Sequence, residues 1–332
     1  MRRALIVGID HYPHIGHLQG CANDAHAVHE AIAHHGDVDR EINFLAPEML
    51  VATDEATAIT KRHLKDSVRA LFANDTETAE IALFYFAGHG YVEDTGGFLC
   101  ASDSESGDDG LALSEVMTFA NSSNANHKVI MLDSCHGGAA GARPTETNMV
   151  ELADGVTVLT ASTAEQRAFE ENGSGLFTGL LVDALNGAAA NLVGDVTLGG
   201  VYAHIDQSLT WSQRPVFKTN VKRFVSLRKT LPPIVVDDLR ELATHFPRPE
   251  HQIQLDPAYE PERCGCQAAD PSIPPPDPDK TKVFAVLQSY ARVNLVRPVG
   301  VKHMWHAAWD SKPCELTALG RHYWYLVRKN LI

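Results

Sequence analysis

Two apolar runs in this chain each end on a side chain able to do chemistry. Ile81 to Ala87 reads IALFYFA and is followed by Gly88-His89-Gly90. Val129 to Leu132 lies within KVIMLDSCHGG and is followed by Asp133-Ser134-Cys135-His136 and two glycines. A thiolate is a strong nucleophile, and an imidazole takes or gives a proton near neutral pH. Together they are sufficient for acyl transfer. They stand 46 residues apart, so only tertiary structure can join them. Each residue alone has a plain reading: a small buried hydrophobe for the Cys, a polar loop residue for the His. The pairing carries the signal, because each follows a similar run and each has glycine close behind. Glycine after the His leaves a backbone amide able to point at a substrate oxygen.

The elements that would position this pair follow from the pattern. Short, continuous apolar runs read as strands buried on both faces of a parallel sheet, where chemistry collects past the carboxyl ends. Ala4 to Ile9 reads as a first, central strand, Ile42 to Leu45 as a short second one, and Val156 to Ser162 as the strand after Cys135. Pro215 to Lys218 reads as the last. Between them, Ala22 to His35 reads as a helix with Asn23 or Asp24 as cap and first-turn acid. Thr57 to Phe72 is amphipathic, with Ile59, Leu64, Val68 and Leu71 on one face. Leu176 to Asn186 and Val201 to Leu209 are further helices. Strands alternating with helices predict an α/β fold with a mostly parallel sheet and right-handed crossovers.

The chain has 332 residues, 44% hydrophobic, enough for a proper core and an appended module. Its formal charge of −14 argues against nonspecific nucleic-acid binding by the chain as a whole. Six cysteines form no disulfide framework, and no run approaches the ~20 apolar residues of a membrane span. A reducing cytoplasm is the expected location, with no membrane partner. Neither GxGxxG nor a P-loop signature is present, which disfavours a nucleotide-cofactor enzyme.

At these residues the sequence resembles the caspase–metacaspase clan of cysteine peptidases in its bacterial, caspase-like form. A His about 50 residues before the Cys is caspase spacing. The match is carried by AGHG (Ala87 to Gly90) and DSCHGG (Asp133 to Gly138). It extends to ALIVGIDHY (Ala4 to Tyr12), LQGCANDA (Leu18 to Ala25), VLTAST (Val158 to Thr163) and GSGLFTGLLVDAL (Gly173 to Leu185). These occur in family order across about residues 1 to 228. Ala87 stands where metacaspases usually have Ser, and Gly137 where they often have Ser; neither change removes the dyad.

The resemblance implies a caspase-like sheet and a thiol endopeptidase acting on protein substrates. Cys135 would be the nucleophile, with a thiol that needs help because it ordinarily titrates near ~8.5. His89 would take the thiol proton or assist the leaving amine. The oxyanion hole would be the amides of Gly90 and Cys135. Metacaspases place two Asp side chains in the primary pocket and cut after Arg or Lys; here their positions match Asp24 and Asp133. Paired carboxylates suit a guanidinium through charge-assisted, often bidentate hydrogen bonds. The plain readings are a helix first-turn acid for Asp24 and a strand-end cap for Asp133. In caspase relatives the loop after the Cys is often cut during activation, so Gly137 to Thr147, with Arg143, is a candidate self-cleavage loop of a zymogen. Many bacterial relatives act in defence with a partner protein, which makes an antiviral role and an activating partner expectations of resemblance alone. No cofactor is expected. Calcium at the acidic run Asp103 to Asp109 is the alternative, although the run does not reproduce a calcium loop. His11, His14 and His17 read as a polar loop rather than a metal site, because Pro13 and Gly16 break the geometry.

Beyond the peptidase domain, set at 1–229, the composition changes. Eleven of 17 prolines fall in 230–279, which reads as a Pro-rich linker containing Cys264-Gly-Cys266 and one short helix, Asp238 to His245. Residues 280–332 hold nine Lys/Arg against two Asp/Glu, leaving the rest of the chain at −21. They read as a basic module of two helices around a strand pair, resembling a winged helix. Inward positions are Val283, Val286, Leu287 and Tyr290, then Leu316, Leu319, Tyr323, Leu326 and Val327. The charge split predicts a regulatory module that docks on the acidic domain or on an acidic partner. Nucleic acid bound through 280–332 is the less favoured alternative, as is an inactive scaffold.

Overall fold

The computed structural model describes the chain apart from residues 37–40, 75–76, 94–95, 135–141, 144–145, 151, 162–169, 172–173, 210–213 and 264–270; for 142–143, 146–150, 170–171 and 174 it describes the backbone only. The chain forms two compact units, Met1–Leu231 and Pro232–Ile332.

The first unit is built on a six-stranded sheet. Its strands are β1 (Arg2–Ile9), β2 (Glu48–Ala52), β3 (Ile81–Ala87), β4 (His127–Asp133), β5 (Val156–Thr160) and β6 (Val216–Asn220), in the order β6-β5-β4-β3-β1-β2. All neighbours are parallel except β6, which runs antiparallel to β5 at one edge. The apolar runs are strands because both faces are covered. Leu5, Val7 and Ile9 of β1 pack on one side with Leu64 and Val68 of α2 (Lys61–Leu71) and Val116 of α3 (Leu113–Ser122). Ala4 and Ile6 face the other side, with Val28 of α1 (Cys21–Ala33), Phe177 and Leu181 of α4 (Leu176–Asp183), and Ile205 of α5 (Leu198–Ser208). Each fully buried side chain of this kind contributes about 1.5–3 kcal/mol by leaving water.

One sequence expectation changes here. The second strand of the sheet is Glu48–Ala52, parallel to β1; Glu41–Ile42 instead pairs with His34–His35 in a separate two-residue ladder. Leu45, in the run expected as strand, is exposed. The true edge strand, EMLVA, is mostly half-buried and so lacks the continuous apolar run that marks its neighbours. The strand expected over Pro215 to Lys218 is β6, the last strand of this sheet in chain order; Ser226–Lys229 follows in a separate ladder with Asp195–Thr197.

Register aligns the site. Gly8 pairs with Ala87, and Ala87 with Asp133, so three adjacent strands end level at the carboxyl edge. The backbone of α1 comes so close to β1 that a Cβ on Gly8 would lie 2.2 Å from the Cys21 carbonyl. That approach sets the first turn of α1, with Asp24, over the same edge.

The second unit is an antiparallel sheet of Gln252–Gln254, Pro313–Leu316 and Val296–Pro298, with Pro313–Leu316 in the middle. It corrects the linker reading of 230–279. Helices Val236–Arg240 and Leu242–His245 and the strand Gln252–Gln254 belong to this unit, and Leu239, Leu242, Phe246, Leu255 and Ala258 are buried in it. The prolines act as punctuation. Pro257 and Pro278 each follow an Asp whose side chain caps the turn or helix they open, the position where a missing N–H costs nothing. Trp324 donates its indole N–H to the Phe246 carbonyl at 2.6 Å, tying the last helix to the expected linker. The helices Pro278–Arg292 and Ala318–Arg328 form, but their inner faces centre on Phe284, Leu287 and Tyr290, and on Gly320 and Trp324, rather than on all the positions expected. A winged-helix assignment does not follow, because the helix Met304–Trp309 separates the paired strands and the third strand precedes them all.

Candidate active site

His89 follows β3 by two residues and is held from several sides. Its backbone N–H donates to the Tyr12 hydroxyl at 3.0 Å, and its carbonyl accepts the Cys100 N–H at 2.9 Å. Tyr12 is fully buried, donates onward to the Cys100 carbonyl at 3.2 Å, and lays its ring 4.7 Å from the imidazole. Burial pushes the Tyr12 phenol well above its ordinary range, so it stays a donor. The imidazole Nε2 lies 2.8 Å from the Gly16 carbonyl. A carbonyl only accepts, so Nε2 carries the hydrogen and Nδ1 keeps its lone pair. Burial lowers the His89 pKa, opposed in part by that Gly16 contact. The ring is therefore neutral at pH 7, with one nitrogen ready to take a proton.

Asp24 and Asp133 form a second cluster at the same sheet edge. Sequence suggests Asp24 as a first-turn acid or cap of α1. The structure gives capping to Asp10, whose carboxylate accepts the Cys21 N–H at 2.9 Å and the Ala22 N–H at 3.3 Å. Asp24 turns inward, is 2% exposed, and accepts the Gly175 N–H at 2.9 Å. Asp133, the last residue of β4, is 7% exposed and accepts the Thr178 hydroxyl at 2.6 Å. Thr178 is fully buried, and its oxygen lies 2.5 Å from the Tyr85 hydroxyl. Because Thr178 gives its one proton to the carboxylate, Tyr85 must donate to Thr178. The two carboxylates converge: a Cβ built on Gly175 would lie 2.3 Å from Asp133 Oδ2 and 3.0 Å from Asp24 Oδ2. Gly175 is the residue that leaves room for both.

Cys135 and its amide lie outside the described residues, as do Cys264 and Cys266. Gly90 opens the strand Gly90–Glu93, which pairs with Gly96–Leu99. Arg143 lies in the two-residue strand Ala142–Arg143, paired with Glu146–Val150; only its backbone is described. Cys21, Cys100 and Cys314 are buried, and burial pushes the Cys100 thiol up to about 11 and Cys314 to about 12. Such thiols are poor nucleophiles at neutral pH. His17 uses Nδ1 to accept the Tyr12 N–H at 3.2 Å, and no group of three metal-ligating side chains occurs among the described residues. In the acidic run, Asp103 accepts the Lys61 N–H at 2.8 Å and Asp109 lies 3.9 Å from Lys61 Nζ.

The match to a protein-family model settles the family: the caspase domain model, Peptidase_C14, matches residues 1–231. The chain belongs to the caspase domain family. It is a cysteine endopeptidase by that membership, and proteins are its substrate class. The fold agrees with two solved structures. A protein from Geobacter sulfurreducens is 19% identical at a TM-score of 0.50, over 69% of this chain and 97% of that one. Caspase-1 from Spodoptera frugiperda is 12% identical at a TM-score of 0.50, over 69% of this chain and 90% of that one. No curated protein matches the chain. No helix among the described residues is long and apolar enough to cross a membrane.

In this caspase domain, sequence reasoning missed Tyr12, Gly16, Tyr85, Gly175 and Thr178. The signals were slight: a hydroxyl inside the apolar strand IALFYFA, and another inside the apolar helix LFTGLLVD. A buried hydroxyl needs a partner, and at both positions the partner leads to Asp133.

Proposed function

We propose that the chain cuts protein substrates after Arg or Lys, with Cys135 as nucleophile and His89 as its proton acceptor. The observation that supports this is the meeting of two buried carboxylates, Asp24 and Asp133, at the sheet edge that also carries His89. Two carboxylates meeting at one site suit a cationic side chain, which can donate charge-assisted hydrogen bonds to both. The thiol of Cys135 would lose its proton to His89 Nδ1 and attack the carbonyl carbon of the residue whose side chain fills the pocket. The C–N bond then breaks, the proton passes to the leaving amine, and water hydrolyses the thioester to restore the thiol. The amides of Gly90 and Cys135 would stabilise the oxyanion.

Cleavage after Arg143 would fit the same specificity, and it is the activation step we assign. Net charge does not support control by the second unit. Folded together, Pro232–Ile332 contains twelve Lys/Arg and twelve Asp/Glu, a formal charge of zero.

The test uses fluorogenic peptides ending in Arg, Lys or Asp, with wild type and Cys135→Ala, each with and without calcium. Turnover of the Arg and Lys peptides by wild type alone is expected. A preference for Asp would overturn the pocket reading, and turnover by Cys135→Ala would remove the nucleophile.

A further inference from the structure

We propose that the Tyr85–Thr178 hydroxyl relay makes the pocket selective for Arg over Lys, with Thr178 as a specificity-determining positioning residue. This rests on the pocket reading above and goes further by choosing between the two cations.

Both carboxylates are tied to the first turn of one helix. Gly175, the N-cap of α4, gives its N–H to Asp24 Oδ2 at 2.9 Å, and Thr178 gives its hydroxyl to Asp133 Oδ2 at 2.6 Å. The two acids come from separate elements, α1 and β4, yet their spacing is referenced to a single rigid body. Thr178 is itself held by Tyr85, a fully buried residue of β3 whose hydroxyl lies 2.5 Å away. Burial, with Asp133 and Asp24 adding to it, raises the Tyr85 pKa well above its ordinary value, which keeps the phenol a donor. The relay therefore runs one way, Tyr85 to Thr178 to Asp133, and fixes which carboxylate edge faces the pocket.

Fixed edges reward a directional ligand. A guanidinium is planar, presents five N–H groups in a fork, and can serve two oriented carboxylates at once. An ammonium is a compact point charge whose attraction to the pair depends little on how each carboxylate is turned, and it is the more strongly hydrated of the two. If Asp133 could swivel, Arg would have to order it on binding and would lose its advantage. Held in place, Asp133 gives Arg that ordering in advance.

The experiment measures kcat/KM for peptides differing only in Arg or Lys before the bond. It compares wild type, Thr178→Val, Thr178→Ser and Tyr85→Phe, each checked for folding by circular dichroism and thermal melting. Wild type should favour Arg by about 10-fold or more, the scale of a hydrogen bond to a charged group. Thr178→Val should cut Arg turnover by at least ~10-fold and Lys turnover by less than ~3-fold, shrinking the ratio. Thr178→Ser should restore it, and Tyr85→Phe should fall between. Should Thr178→Val fail to fold, the Tyr85→Phe ratio decides. A ratio unchanged in the folded variants overturns the relay, and so does equal use of Arg and Lys by wild type. Wild type that cuts after neither overturns the pocket itself, a result distinguishable from failure of the relay alone.

Discussion

The two units carry charge in different ways. The caspase unit holds the whole formal charge of the chain, −14, and buries two of its acids at one edge of the sheet. The second unit is neutral overall, although its last 53 residues alone carry +7. The difference lies in which residues fold together. Lys280 meets Asp256 at 2.5 Å, and the Tyr290 hydroxyl donates to the Asp238 carbonyl. These contacts join the basic stretch to the segment that composition alone reads as linker. A charge sum over a sequence window describes a field only if the window is a folding unit. In the caspase unit the window and the unit nearly coincide; in the second they do not.

The largest expected effects test whether the chemistry belongs to the acidic unit alone. Cys135→Ala should lower turnover by more than about 10⁴-fold, since it removes the proposed nucleophile and with it the covalent path. Gly175→Ala should be the next largest. Its methyl would lie 2.3 Å from Asp133 Oδ2, so one carboxylate must move. Arg-peptide turnover should drop about 10²-fold, the scale of a lost charged contact in a buried pocket. Alkylation of Cys135 by iodoacetamide should remain near the wild-type rate, because the substitution leaves the proposed nucleophile untouched. A parallel loss of alkylation would place the damage at the thiol instead.

Tyr12→Phe tests how His89 is held. The hydroxyl accepts the His89 N–H and donates to Cys100, so its loss leaves both groups unsatisfied. Turnover should fall about 10-fold with little change in KM, the mark of a misplaced base. The pH profile reports the same residue. Burial holds the His89 pKa down, so the acid limb of kcat/KM should lie below the ordinary ~6.5 of His. For stability the sign follows from protons bound. Between the lowered folded pKa and ~6.5, the unfolded chain binds more protons than the folded one, so His89 costs stability as pH falls through that window. An acid limb above 6.5 would show the imidazole held charged, contrary to its burial.

Much of the caspase unit was legible in the sequence because its strands are buried on both faces. IALFYFA and KVIML leave few other readings, and the level ends of β3 and β4 follow from parallel pairing. Asp24 and Asp133 were expected as a pair through the family resemblance, but the groups that hold them were not, since Gly175 and Thr178 lie about 150 and 45 residues away. Capping by Asp10 was hidden because it reaches α1 from 11 residues upstream. The edge strand Glu48–Ala52 was hidden because a half-buried strand shows no continuous apolar run. In the second unit, proline density misled. A proline at the first position of a helix favours that helix, yet composition counts it the same as one in a flexible segment.

Trp324→Phe makes the second unit the target. The indole N–H bonds to the Phe246 carbonyl, and removing it leaves a buried acceptor, a cost of about 1–3 kcal/mol. Calorimetry of the full chain should show a lowered transition for the second unit and an unmoved one for the first. Peptidase activity below that transition should be unchanged. A drop in activity would mean that the chemistry depends on the second unit after all.

Truncation after Leu231 carries the smallest expected effect and separates the two units most directly. The caspase domain match and the first compact unit end at the same residue, so the cut should leave a folded domain. A module at +7 beside a domain at −21 would hold the domain in check by attraction, and its removal would speed the enzyme. A unit of zero formal charge beside one of −14 has no such net attraction. Turnover of the truncated protein should therefore stay within about 2-fold of the full chain, and that ratio should not change between low and about 0.5 M salt, where charge–charge attraction is largely screened. Activation of about 10-fold or more, lost at high salt, would restore electrostatic inhibition and show that local patches outweigh the net charge. Activation insensitive to salt would assign inhibition to packing, leaving the charge comparison intact.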